Sequence, residues 1–204
     1  HERSLHGDLA LALSREAAIK RPARTALALL WSLGLEWDDW LAPLQDLCYE
    51  ERLALRVQLE RGLNSPRTSS MGRLFDAAAA LAGVRQKVNY EAQAAIEFEA
   101  LADLAEAGKY SFALNQDRVE VRSVLEALIH DVKAGVHVSK ISARFHNGLA
   151  ELVREVCLKI KSETGIHEVA LSGGVWQNMT LLGLTLSLLE KDGVVVYVHR
   201  QVPT

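Results

Sequence analysis

The chain has 204 residues, of which 49% are hydrophobic and 24% are charged. These values are typical of a globular protein and exclude a disordered, collagen-like or low-complexity sequence. The formal net charge of −3 argues against a strongly basic nucleic-acid-binding surface, so we expect no nucleic acid as a partner. The two cysteines, Cys48 and Cys157, are too few for a disulfide framework. We expect a reducing, cytoplasmic location with both thiols as packing residues.

Membrane and targeting signals are missing from the sequence. No run of about 18 apolar residues occurs, so we expect neither a membrane-spanning helix nor a membrane partner. The N-terminus lacks the basic-then-apolar order of a signal peptide. Position 1 is not Met, and an apolar run leads directly into the last residues. We therefore expect a chain that is truncated at both ends.

The first two thirds of the chain are predicted to be mainly helical, because apolar residues recur at helical spacing. Pro22 suits the first turn of a helix, and Asp38 or Asp39 is a candidate N-cap for a short helix near Trp37. The composition of residues 64–72 favours a loop. The predicted helices span residues 8–20, 23–33, 49–62, 74–81, 90–107 and 123–134, with a short strand pair at 110–115 and 118–121.

The last third changes character. It is predicted to contain a long helix over 138–161, a strand over 167–171, a helix over 176–191 and a strongly β-branched strand over 194–198. The order strand, helix, strand is typical of a βαβ unit with parallel pairing. The fold class predicted from the pattern is therefore a helix-rich α/β protein.

A pair of glycines at the end of the first of these strands is the sharpest local feature. Gly173 and Gly174 stand between the strand and a helix, where glycine lets the backbone approach a ligand without an intervening Cβ. The following helix N-terminus favours an anion, and Asn178 could hydrogen-bond a sugar or a base edge. A tight connection without any ligand is an equally good interpretation. The spacing fits neither a dinucleotide fingerprint nor a P-loop.

A second candidate is the segment Thr68-Ser-Ser-Met-Gly-Arg-Leu-Phe-Asp76. Small polar residues precede a helix, and the Asp76 carboxylate could accept hydrogen bonds from ribose hydroxyls. The simpler interpretation is that Thr68, Ser69 or Ser70 caps the helix while Asp76 forms a surface pair with Arg73. The residue pattern favours this simpler one.

The remaining chemistry-bearing residues form no recognisable site. No two histidines have the i, i+4 spacing of a helical metal site, and Ser172 lacks the glycine elbow of a nucleophilic serine. His146 is interpreted as a helix-face residue, not as a base. The tryptophans at 31, 37 and 40 suit a core or an interface. We expect no metal site within this chain, and the catalytic residues stay unknown.

Four segments, taken together, resemble the C-terminal domain of the HypF family. They are Thr68-Ser-Ser-Met-Gly-Arg-Leu-Phe-Asp-Ala77, Tyr90-Glu-Ala-Gln-Ala-Ala-Ile-Glu97, Ala143-Arg-Phe-His-Asn147 and Ala170-Leu-Ser-Gly-Gly-Val-Trp-Gln-Asn178. Their order and spacing agree over residues 22–204, whereas residues 1–21 match less well. The resemblance implies one lobe of an actin/sugar-kinase type ATPase fold, similar to the TsaD family of tRNA threonylcarbamoyl transferases.

The same resemblance implies a function. HypF proteins are carbamoyltransferases of nickel–iron hydrogenase maturation, which use ATP and carbamoyl phosphate to form carbamoyl adenylate. The TsaD-like domain then passes the carbamoyl group to the C-terminal cysteine of HypE, from which the cyanide ligands are made. We therefore expect ATP or carbamoyl adenylate as the nucleotide and a HypE-like protein as the partner.

Site residues follow from matching positions in the family motifs. Asp76, Gly173, Gly174 and Asn178 stand where the family contacts the nucleoside, and Ala92 stands where a glycine is usual, so its Cβ is expected to crowd the nucleoside. The family's divalent metal, zinc or iron, is held by motifs outside this chain, and so are the upstream phosphate-binding segments. We therefore expect the chain alone to be inactive. The alternatives are a non-catalytic helical interaction module and a TsaD-type tRNA-modifying relative.

Overall fold

The computed structural model describes residues 9–10, 20–63, 65, 67–115 and 118–198 of the chain. The helices are α1 Pro22–Ser32, α2 Ala42–Gln45, α3 Tyr49–Glu60, α4 Met71–Leu81, α5 Gln93–Ala100, α6 Arg122–Lys133, α7 Val138–Thr164 and α8 Met179–Lys191. The strands are β1 Leu9–Ala10, β2 Arg67–Thr68, β3 Ala113–Asn115, β4 Arg118–Glu120, β5 Glu168–Leu171 and β6 Val195–Val198. A 3₁₀ turn, Gly174–Gln177, precedes α8.

The helical part is built around the contact between α1 and α4. Four consecutive alanines of α4, Ala77 to Ala80, are fully buried, and so are Ala26 and Ala28 of α1. Small side chains let helix axes approach closely, and the leucines on either side fill the remaining space. This packing holds α4 rigidly, and its first turns carry Arg73 and Asp76.

All four phenylalanines of the chain meet in one cluster. Phe145 of α7 lies at its centre, with ring centroids 5.1 Å from Phe75, 5.8 Å from Phe98 and 5.8 Å from Phe112. Edge-on aromatic contacts of this kind add about 0.5–1.5 kcal/mol beyond area burial. Because Phe75 is on α4 and Phe98 on α5, the cluster ties three helices together beneath the candidate site.

The predicted βαβ unit is present. Strands β5 and β6 pair in parallel, with Val169 opposite Val196, and α8 forms the crossover. Helix α8 packs along α7. The Gly173–Gly174 turn therefore lies at the carboxyl end of β5, directly before the N-terminus of α8. The helix-rich α/β class expected from the residue pattern is confirmed.

Two predictions in the first half are wrong, one of them in part. The helix predicted over residues 8–20 is wrong at its start, because Leu9 and Ala10 form a strand paired with β2 inside the predicted loop; residues 11–19 lie outside the described part. The short helix predicted to begin near Trp37 begins later, at Ala42. Its N-cap is Leu41 and not Asp38 or Asp39. The Trp37 indole N–H instead donates to the carbonyl of Leu27 at 2.9 Å.

The helix predicted over residues 90–107 is also too long, because α5 ends at Ala100. The following segment gives its backbone N–H groups to α7 instead, with Asp103 donating to Ser139 and Tyr110 to Arg144. Tertiary hydrogen bonds thus replace the helical bonds that the sequence pattern favoured.

The expectation for the cysteines holds only in part. Cys157 is half-buried on α7, whereas Cys48 is exposed at the N-cap of α3. No helix of the described residues has the length and apolarity needed to cross a membrane.

Candidate functional site

A cleft of about 730 Å³ opens between α4, the start of α5 and the turn before α8. Its volume is in the range of small-molecule sites. Its lining includes Arg73 and Asp76 from α4, and Gly174 and Asn178 from the turn before α8. Two elements that are about a hundred residues apart in sequence thus line one cavity. The structure brings three of the four predicted residues to the cleft wall, and the fourth, Gly173, adjoins it.

The glycine turn leaves its side of the cleft open. Gly173 has φ +105° and ψ 158°, a backbone conformation that essentially only glycine adopts. A Cβ added to Gly174 would meet no atom within 4 Å, so the space above this residue is free. The turn therefore presents bare backbone to the cleft, as close approach of a ligand requires.

Asp76 is the buried acid of the cleft, with only 2% of its surface exposed. Its Oδ2 lies 2.7 Å from Nη1 of Arg73, yet neither atom makes a well-directed hydrogen bond within the described residues. The predicted pair of Arg73 and Asp76 therefore exists, but it is buried instead of lying on the surface. A buried carboxylate oxygen that lacks a directed donor is a ready acceptor for a ligand hydroxyl.

Burial also alters the acidity of Asp76. Loss of hydration raises the pKa of its carboxyl from 3.8 to about 6, although the neighbouring Arg73 acts in the opposite direction. Desolvation disfavours the charged form of an acid, and a nearby cation favours it. Near neutral pH the carboxylate is thus charged but poorly solvated, which strengthens its attraction for hydroxyl donors.

Asn178 is held by two hydrogen bonds. Its Oδ1 accepts from the backbone N–H of Leu181 at 2.8 Å, the usual N-cap contact of a helix. Its Nδ2 lies 2.9 Å from Nε2 of His146, which is fully buried on α7. The imidazole Nδ1 lies 2.8 Å from the carbonyl of Ser142. Asn178 is therefore both a helix cap and a cleft-lining residue.

The N-terminus of α8 favours an anion, as expected, and a carboxylate of the chain itself lies there. Oε1 of Glu99 accepts from the backbone N–H of Thr180 at 2.9 Å and so uses the favourable end of the helix dipole. Glu91, Glu99 and Asp76 all line the cleft, against Arg73 as the single basic side chain among its described lining residues. This balance disfavours a polyanion such as a triphosphate at this end of the cleft.

Ala92 lies at the N-cap of α5 on the rim of the cleft. It has φ +64°, and it is the one non-glycine residue with positive φ in the described part of the chain. The left-handed conformation costs alanine about 1 kcal/mol because its Cβ meets the following carbonyl oxygen. The position that the resemblance marks as a family glycine therefore has the backbone of a glycine.

The residue pattern gave no sign of two members of the site. Glu99 and His146 reach it through partners 81 and 32 residues away in sequence. His146 was interpreted only as a helix-face residue, and the face it occupies is in the core. Among the described residues, no group of three His, Cys, Asp or Glu side chains could hold a metal ion.

Comparison with known proteins supplies the family. The model of the second subdomain of the carbamoyltransferase Kae1-like domain matches residues 1–204. The chain belongs to this family. It is 35% identical to the carbamoyltransferase HypF of a Synechocystis strain over 94% of its own length, which is 27% of that relative. The HypF homolog of Cupriavidus necator is 38% identical over 72% of the chain and 39% of that protein.

Solved structures agree with this assignment. The crystal structure of a full-length HypF in a phosphate- and nucleotide-bound form superposes with a TM-score of 0.89 at 35% identity. It covers 99% of this chain, which spans 32% of that protein. The HypF of T. kodakarensis, 23% identical, has the same fold with a TM-score of 0.82. The chain thus corresponds to about a third or less of these two solved relatives.

Proposed function

We propose that this chain forms the nucleoside-binding side of a carbamoyltransferase site. The protein would transfer the carbamoyl group of carbamoyl adenylate, made from carbamoyl phosphate and ATP, to the C-terminal cysteine of a HypE-like protein in hydrogenase maturation. The observation that carries the proposal is the buried Asp76 carboxylate, which lines a cleft of ligand size together with the glycine turn.

The chemistry of the cleft supports a nucleoside rather than its phosphates. The Asp76 carboxylate can accept from ribose hydroxyls, and Gly174 leaves room for a flat base. The Glu99 carboxylate at α8 repels phosphate, so the phosphate of the adenylate would point away from this wall. Residues outside this cleft would bind the phosphate of the adenylate and the family's zinc or iron.

The assay that tests this function measures carbamoyl transfer to a peptide that ends in the HypE acceptor cysteine. We expect turnover by the complete gene product and none by these 204 residues alone. In the complete protein, Asp76→Ala and Asn178→Ala should each lower kcat/KM at least tenfold, or by about 1.4 kcal/mol.

Matched controls are available on the surface. Asp39, whose side chain is 95% exposed, and Asn115 on β3 carry the same groups far from the cleft, and their alanine variants should retain full activity. Turnover by these 204 residues alone would contradict the proposal that the site also needs residues from outside this chain. Unchanged kcat/KM in both cleft variants would contradict the role of the cleft.

A further inference from the structure

The hydrogen bonds around Asn178 determine which way its amide points. The backbone N–H of Leu181 can only donate, so the Asn178 atom that faces it at 2.8 Å must be the carbonyl oxygen. The amide nitrogen then faces Nε2 of His146. An NH₂ group only donates, and Nε2 must therefore be the unprotonated, accepting nitrogen of the ring.

The other side of the imidazole agrees with this assignment. Nδ1 lies 2.8 Å from the carbonyl oxygen of Ser142, which only accepts, so Nδ1 carries the proton. The ring is fully buried between Phe75 and Phe98, with centroid distances of 5.2 and 5.9 Å. Packing and two directed hydrogen bonds leave the ring a single arrangement.

We propose that His146 is a positioning residue that fixes Asn178 as a hydrogen-bond donor toward the cleft. With one N–H used by His146, the amide has a single N–H left to donate to a ligand. The ligand group that meets this N–H is therefore an acceptor, such as a ring nitrogen of a purine or a sugar oxygen. This inference rests on the proposed nucleoside site and specifies its chemistry.

The first test measures adenosine affinity in the complete gene product by calorimetry. His146→Phe keeps an aromatic ring in the cluster but removes the acceptor, and it should weaken binding about tenfold by letting the amide rotate. His146→Gln restores an acceptor oxygen and should recover part of the loss. His137→Phe is the matched control, because His137 caps α7 by accepting from the N–H of Ser139 outside the cleft.

A double-mutant cycle separates positioning from loss of stability. If His146 acts only through Asn178, then His146→Phe has no further effect on affinity in the Asn178→Ala background. Fully additive losses, or unchanged affinity in a folded His146→Phe protein, would overturn the proposal.

A measurement on the unaltered protein covers the case in which the variants do not fold. Nitrogen-15 spectra of the imidazole should show Nε2 unprotonated and Nδ1 protonated at neutral pH, and a proton on Nε2 would contradict the proposal. Failure of the unaltered protein to bind adenosine would overturn the proposed function instead. The imidazole spectrum would then decide the orientation of Asn178 by itself.

Discussion

At the scale of single residues, the buried acid Asp76 couples the site to pH. Its pKa is raised from 3.8 to about 6 by burial, so the folded state binds this proton more tightly than the unfolded chain does. Stability therefore falls as the pH rises from about 4 to above 6, because the buried group must become charged. The rise in pKa corresponds to about 3 kcal/mol.

The Asp76→Asn variant removes this titration. We expect the difference in unfolding free energy between the original protein and the variant to change by about 2.4 kcal/mol between pH 4 and pH 7.5, with the original protein favoured at low pH. Urea denaturation at a series of pH values measures it. Other carboxylates cancel in the difference, and the exposed Asp39→Asn should give a flat curve. A flat curve for Asp76→Asn would show that the acid is not buried in solution.

Ala92 is the second residue whose conformation makes a prediction. Glycine has no steric penalty at φ +64°, so Ala92→Gly should raise the unfolding free energy by up to about 0.5 kcal/mol despite the greater freedom of the unfolded chain. Chemical denaturation measures the change. Ala95→Gly, three residues further along and inside α5, should lower stability by a similar amount. Equal loss in both variants would contradict the left-handed conformation of Ala92.

At the scale of secondary-structure elements, the sequence correctly predicted those elements that are determined by their own residues. The β5–α8–β6 unit was predicted correctly because a β-branched run, two glycines and an amphipathic helix each have a local signature. The end of α5 was missed because Asp103 and Tyr110 bond to α7, which no local pattern contains. Likewise, the residue pattern favoured a surface pair for Asp76 over a ribose contact, and the family resemblance alone favoured the site.

The segment between α5 and β3 crosses α7 where Tyr110 lies next to Gly148, and this close crossing depends on the glycine. A Cβ at this buried position would lie 2.1 Å from the carbonyl oxygen of Tyr110, and backbone cannot rotate away as a side chain can. Gly148→Ala should therefore lower the unfolding free energy by about 3 kcal/mol. Denaturant titration with fluorescence detection is a sufficient assay.

Gly183 provides the matched comparison for this prediction. It also lies inside a helix, α8, but a Cβ there would meet nothing within 4 Å. Gly183→Ala should stabilise the protein by about 0.5–1 kcal/mol, because alanine is the better helix former. A Gly148→Ala protein as stable as Gly183→Ala would mean that the segment at Tyr110 does not touch α7 in solution.

At the scale of the whole molecule, charge decides what the cleft accepts. The chain as a whole carries −3, and the cleft itself combines three carboxylates with Arg73. Carboxylates in this excess repel free phosphate from the cleft wall. Under the proposed function, the cleft would hold the uncharged nucleoside part of an adenylate, and its phosphate would be held by residues outside this chain, which spans about a quarter of the Synechocystis HypF.

Glu99 allows this balance to be tested without disturbing the helix cap. In Glu99→Gln the amide oxygen can still accept from the N–H of Thr180, but one negative charge leaves the cleft. We expect the affinity for AMP relative to adenosine to rise roughly threefold at low ionic strength, and the gain to shrink as salt is added. Competition binding with both ligands measures the ratio.

The control for Glu99 is Glu60→Gln at the exposed end of α3, which removes the same charge far from the cleft and should leave the ratio unchanged. An equal rise in both variants would mean that the net charge of the chain, and not the carboxylate at α8, sets the preference. An unchanged ratio in Glu99→Gln would place the phosphate of AMP beyond the reach of Glu99. In that case the exclusion of phosphate from the α8 N-terminus would depend on the geometry of the cleft alone.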